Sequence, residues 1–189
     1  MSHRTSKFSL RHKSQPLPES VPDATEHDAR PFLALDVDGV LIPYHPPMHD
    51  SAYTIVPGIS RKWPVHRDLR TWLSHLSLYY EPVWVTSWGH EACALQAPMG
   101  LPENMPVVDL DTGQGDGRRL FKFLAVQQLD PARPLAWLDD DMTPTAERWA
   151  AARPVPAITI RPDKRIGITE AHVDLLLDWA TTALPTPVE

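Results

Sequence analysis

Five short, mostly apolar runs recur along the chain, separated by longer amphipathic stretches: Phe32-Leu33-Ala34-Leu35, Pro82-Val83-Trp84-Val85, Val107-Val108-Asp109-Leu110, Leu135-Ala136-Trp137-Leu138 and Ala157-Ile158-Thr159-Ile160. A strand wetted on one face alternates apolar with polar residues, whereas a run apolar almost throughout must be covered on both faces. Strands of that kind alternating with helices predict an α/β chain, a three-layer sandwich around a central parallel, Rossmann-like sheet of about five strands. The intervening stretches supply the helices. Val65 to Leu78 places Leu69, Trp72, Leu73 and Leu76 at helical spacing, and Gly89 to Gln96 reads as a short helix. Gly117 to Leu129 carries Leu120, Phe121, Leu124 and Leu129 on one face. Thr169 to Ala183 carries Val173, Leu176, Leu177 and Ala180, with Thr169 suited to the N-cap.

The length of 189 residues fits one domain with tails. Residues 1–30 hold few large apolar side chains and read as a disordered tail; 31–184 form the folded domain and 185–189 a C-terminal tail. Between the first run and the second, residues 43–64 leave room for a small flap, Ala52-Tyr53-Thr54-Ile55-Val56 turning at Pro57-Gly58, and not for a large cap. The 21 prolines against 8 glycines point to rigid loops and at least one unstructured stretch. The formal charge is −6, and without the tail it is −7, from 13 basic against 20 acidic residues, which disfavours a protein that coats nucleic acid. Arg4, Lys7, Arg11 and Lys13 in the tail are either solvated or a contact for a phosphate-rich partner. A single cysteine, Cys93, builds no intrachain disulfide and no thiolate zinc site, as in a reducing compartment. No window nears the ~18 apolar residues of a membrane span, and the first 30 residues hold no secretory-type apolar stretch. The expectation is a soluble cytoplasmic protein; no protein partner is inferable.

In open α/β sheets ligands bind beyond the carboxyl ends of the strands. The first run leads into Asp36-Val37-Asp38-Gly39-Val40, the second into Thr86-Ser87, and the fourth into Asp139-Asp140-Asp141. Carboxylates gathered at one edge repel one another unless a positive charge joins them, and a hard divalent cation such as Mg²⁺ fills that need. A carboxylate beside Mg²⁺ can attack phosphorus, and a second acid two residues on can protonate the leaving oxygen and then activate water. A hydroxyl such as Thr86 and a lysine would hold the phosphoryl oxygens, Lys122 being the best-placed lysine.

The order Asp-x-Asp-Gly-Val, strand-Thr-Ser, Lys, strand-Asp-Asp resembles the haloacid dehalogenase superfamily of phosphohydrolases, with all four motifs between Asp36 and Asp140. Val83-Trp84-Val85-Thr86-Ser87-Trp88 and Arg133-Pro134-Leu135-Ala136-Trp137-Leu138-Asp139-Asp140 further resemble a small group related to RNA-repair phosphatase domains. The resemblance implies Asp36 as nucleophile, Asp38 as acid and base with its backbone carbonyl on Mg²⁺, Thr86 on the phosphoryl group, and Lys122 on the intermediate. It implies Asp140 as the remaining metal ligand with Asp139 assisting, so that the metal set is Asp36, Asp38, Asp139 and Asp140. Two points stay open: the three consecutive aspartates let the last motif slip by one, and Arg118 or Arg119 could replace Lys122 if it faces outward.

Rival readings are weaker. A calcium loop needs Gly sixth and Glu twelfth, but Gly39 is fourth and Pro47 twelfth. A phosphoacceptor receiver domain places its acidic pair before the phosphorylated Asp, the reverse of the order here. A catalytically idle domain of the same fold, serving as an interaction module, is the alternative from another class. Cys93 reads as structural, and the histidines show no paired ligand spacing. Trp72, Trp84, Trp137 and Trp179 fall on core faces, whereas Trp63 and Trp88 either border the site or pack. Ser87, Trp88, Arg61 and Lys62 are the substrate-binding candidates. The cations beside Trp63 would suit a nucleotide or RNA end, against a small metabolite phosphate favoured by the negative body.

Overall fold

A computed structural model of the chain describes residues 30–46, 51–57, 62–110 and 118–183. The expected tails except Arg30, together with Arg61 and the Gly58 turn, lie outside these residues. Four strands, β1 (Phe32–Leu35), β4 (Glu81–Trp84), β5 (Leu135–Leu138) and β6 (Ala157–Ile160), form one parallel sheet in the order β4-β1-β5-β6. A two-stranded antiparallel hairpin, β2 (Tyr53–Pro57) and β3 (Lys62–His66), stands apart from it, in the stretch where a flap was expected. The helices are α1 (Leu69–Tyr79), α2 (Gln96–Met99), α3 (Arg118–Val126), α4 (Pro144–Ala151) and α5 (Glu170–Ala183).

The prolines organise the sheet. Pro31, Pro134 and Pro156 stand immediately before β1, β5 and β6, and Pro82 is second in the edge strand β4. Proline holds its predecessor extended and donates nothing to a ladder, so it is tolerated at strand starts and edges. Their carbonyls serve as acceptors: Phe32 N–H donates to Pro134 O at 2.9 Å, Glu81 to Pro31 at 2.9 Å and Leu135 to Pro156 at 3.1 Å.

Because side chains alternate along a strand, the apolar runs feed two cores. Leu33, Leu35, Trp84, Ala136, Leu138 and Ile160 face Leu69, Leu73 and Leu76 of α1 and Val173, Leu176 and Ala180 of α5. Ala34, Val83, Val85, Leu135 and Trp137 face Val126 and Phe123 of α3 and Ala146 and Trp149 of α4. Each fully buried Leu or Val contributes about 1.5–3 kcal/mol, so helices cover both faces of a sheet that neither core could hold alone. The α/β expectation stands at that level, and no described helix is long and apolar enough to cross a membrane.

Three expectations are corrected. The Val107 run does not make a fifth strand: beside Trp84 it forms one bridge, through Trp84 N–H to Pro106 O at 2.8 Å and Val108 N–H to Trp84 O at 2.9 Å, and then turns Asp109 to solvent. The helix expected from Val65 begins at Leu69, because Val65 is held in the hairpin opposite Thr54. The helix expected over Gly89–Gln96 is a tight 3₁₀ segment, Gly89–Leu95, with α2 beyond it. Helix α4 was not foreseen, although Thr143 accepts from Ala146 N–H and Pro144 opens the first turn, both ordinary start signals.

Candidate active site

Strand order places the site. The chain leaves β1, returns as β4 on one side of it, and later enters β5 on the other, so the topology switches direction around β1. Leu35 pairs with Leu138 in register, and Asp36 N–H donates to Leu138 O at 3.1 Å, which sets Asp36 beside Asp139. Both are buried, at 2% and 1% exposure. On α3, Ala125 and Val126 are buried, and Lys122 lies three and four positions before them on the same face. Lys122 therefore points inward, 9% exposed, which answers the question of its direction. Its ammonium donates to Asp36 Oδ2 and sits 3.2 Å from Asp139 Oδ2. The side chains of Arg118 and Arg119 lie outside the described set.

Asp36, Asp139 and Asp140 each offer an oxygen within 4.8 Å of the others. The other Asp36 oxygen, Oδ1, accepts from Val37 N–H at 2.8 Å. Asp139 Oδ1 accepts from Asp141 N–H at 2.9 Å, so Asp139 closes its own turn and points in, while Asp140 takes the more open position. Gly39 makes room for Asp140. Its φ is +72°, and a Cβ there would fall 2.5 Å from the Asp140 carboxyl carbon.

Charge follows from this crowding. Burial is the main cause that raises the Asp36 pKa to about 6, Asp139 adding to it and Lys122 pulling against both. Asp140 is raised too, first by burial and then by Asp139. Burial works to lower Lys122, yet the Asp36 and Asp139 charges and hydrogen bonds outweigh it and hold the ammonium above its ordinary value. At neutral pH the centre thus has Lys122 protonated and Asp36 largely ionised. Three buried or half-buried carboxylates then face one ammonium, a hard oxygen donor set short of positive charge that could hold a divalent cation.

A cavity of about 270 Å³ opens over this centre, lined by Asp36, Asp38, Tyr44, Ser87, Lys122, Asp140, Asp141 and Lys164. A smaller one of about 110 Å³ lies beside it and shares Ser87; Thr86 and His90 line that one. Thr86 is fully buried, its hydroxyl oxygen 3.4 Å from Trp88 N–H. Asp38 stands apart from the carboxylate trio, for its Oδ2 accepts from Trp88 Nε1–H at 2.8 Å. Trp88 in turn packs on Trp63 of β3, ring centroids 4.9 Å apart. Lys62 is exposed on the hairpin and does not line either cavity.

Tyr44 and Lys164 were not foreseen at the site. Tyr44 N–H donates to Lys164 O at 2.9 Å, tying the segment after Asp38 to the loop after β6. Burial, followed by the charges of Asp38, Asp140 and Asp36, raises the Tyr44 pKa. Lys164 had a signal, since it too follows the carboxyl end of a strand; Tyr44 had none. A scan of the chain against protein-family models gives no match, and a search among curated proteins gives none either.

Proposed function

We propose that the chain is a Mg²⁺-dependent phosphomonoester hydrolase of the haloacid dehalogenase type, acting through an aspartyl-phosphate on Asp36. The observation that carries this reading is a buried carboxylate, Asp36, held between Lys122 and two further aspartates at the mouth of a polar cleft. The donor set fits Mg²⁺: all oxygens, more negative charge than Lys122 balances, and a face open to water and phosphate. Asp36, Asp139 and Asp140 would hold it, with the Asp38 carbonyl as the resemblance implies, and when bound it would offset charge on the phosphoryl oxygens.

The chain's own groups divide the remaining work. Asp36 attacks phosphorus in line, forming the O–P bond as the ester P–O bond breaks. Lys122, kept protonated by its two acids, stabilises the phosphoryl charge, and Ser87 with Thr86 orients the group at the end of β4. Asp38 gives its proton to the leaving oxygen, then takes one from the water that releases phosphate and restores Asp36. The open cleft suits either a phosphorylated small molecule or a nucleotide or RNA end, and the −7 body favours the small molecule.

The test is Asp36→Asn with an aryl phosphate. Turnover is expected to fall at least about a thousandfold while circular dichroism and melting show an intact fold. Activity retained in that variant would remove Asp36 from the mechanism.

A further inference from the structure

We infer that Trp88 is a positioning residue for Asp38, holding the acid through its indole N–H with the β2–β3 hairpin bracing the ring from behind. This rests on the hydrolase reading above and deepens it. Trp88 follows the end of β4 and Asp38 follows the end of β1, and they meet through one hydrogen bond of 2.8 Å from Nε1 to Oδ2. The ring is half-buried, and Trp63 of β3 packs against it at 4.9 Å with a 54° tilt. The indole N–H, its one polar side-chain group, is thereby engaged within the protein.

The chemistry explains why an indole serves here. An indole can only donate, so Oδ2 is the acceptor of this hydrogen bond and Oδ1 stays outside it. That leaves Oδ1, in a residue that lines the cleft, to deliver the proton to the leaving oxygen. In the step itself the Asp36–phosphorus bond forms, the ester P–O bond breaks, and the Oδ1 proton moves to the departing alkoxide.

A general acid matters most when the leaving group is poor, which gives a readout that loss of packing does not move. Trp88→Phe keeps the aromatic contact and removes the N–H. Its kcat/KM is compared with wild type on p-nitrophenyl phosphate, whose phenolate departs unaided, and on ethyl phosphate, whose alkoxide needs the proton. The expected loss is under about threefold on the aryl ester and at least about tenfold on the alkyl ester, a fraction of the 10²–10⁴ a general acid typically supplies. Asp38→Asn is expected to show the same divergence, larger. An equal loss on both esters in Trp88→Phe, with Asp38→Asn diverging, overturns the positioning role and leaves the hydrolase reading intact. Equal losses in Asp38→Asn remove Asp38 as the acid and this role with it, and a wild-type protein that hydrolyses neither ester sinks the hydrolase reading itself. Should Trp88→Phe fail to fold, Asp38→Ala must move one tryptophan indole N–H resonance upfield, and an unmoved spectrum overturns the contact.

Discussion

The two edges of the parallel sheet are made from the same four strands yet treat charge in opposite ways. At the amino edge a cation meets an acid of its own. Arg133 Nη2 lies 2.8 Å from Glu81 Oε2, its guanidinium stacks 3.7 Å from the centroid of the Phe32 ring, and its Nε donates to Arg30 O at 3.1 Å. Arg153 donates to Arg133 O at 2.9 Å. At the carboxyl edge Asp36 and Asp139 share the buried Lys122 ammonium, with an Asp140 oxygen within 4.8 Å of theirs. The amino edge neutralises its charge within the protein, whereas the carboxyl edge gathers more buried acid than its one ammonium balances.

That contrast can be broken from either side. The largest effect is expected at Lys122, the one cation buried among the acids in the described centre. Lys122→Met leaves uncompensated buried carboxylates, so the denaturant midpoint in chelator should fall by an amount worth about 3–5 kcal/mol, with activity lost as well. A midpoint that stays in place would show that the acids are not under strain. Arg133→Ala, at the other edge, should cost about 2 kcal/mol through its lost ion pair and stacking. Its kcat should match wild type once the folded fraction is corrected; a fall in kcat would mean the edges are coupled. Asp140→Asn should do the reverse, stabilising the chelated protein by about 1 kcal/mol. It should also abolish the Mg²⁺-induced rise in melting temperature, a rise worth about 2.7 kcal/mol at a hundredfold excess over Kd. Arg133→Ala should keep that rise.

Which parts of this arrangement were legible in sequence follows from how local each signal is. Phe32–Leu35 and Leu135–Leu138 declare themselves because four successive apolar residues have no other comfortable place, and their terminal aspartates fall at the functional edge by strand geometry alone. Val107-Val108 looked equally apolar, yet a strand needs a ladder, and Pro106 with exposed Asp109 allows only one bridge. Helix α4 escaped notice because its buried residues are mainly alanines, which carry little hydrophobic periodicity. Asp139, Asp140 and Asp141 are chemically identical in sequence; only the Leu35–Leu138 register tells which one turns inward. Trp88 was suspected of bordering the site, but the direction of an indole N–H is a tertiary fact.

The smallest expected effect belongs to His172, which lies outside the acid cluster, at the start of α5. Its Nδ1 accepts from Thr169 N–H at 3.2 Å, which requires the neutral ring, and burial lowers its pKa from the ordinary 6.5. A lowered folded value means that the unfolded chain takes the proton first. Stability is therefore full above about pH 6.5 and declines as pH falls through the folded value. His172→Gln keeps an acceptor and should remove this part of the acid slope below about pH 6.5, read from denaturant midpoints across pH. An unaltered slope would assign the acid sensitivity to other groups.

In the proposed reaction the crowded carboxyl edge serves to make Asp36 a nucleophile. The direct measurement is to quench the Mg²⁺-loaded enzyme in acid during turnover of a phosphate ester, reduce with borohydride, and sequence the peptide that spans Asp36 by mass spectrometry. Conversion of Asp36 alone to homoserine is expected, dependent on both ester and metal and absent from Asp36→Asn. Phosphate release with Asp36 unmodified, or label on Asp139 or Asp140 instead, would contradict it.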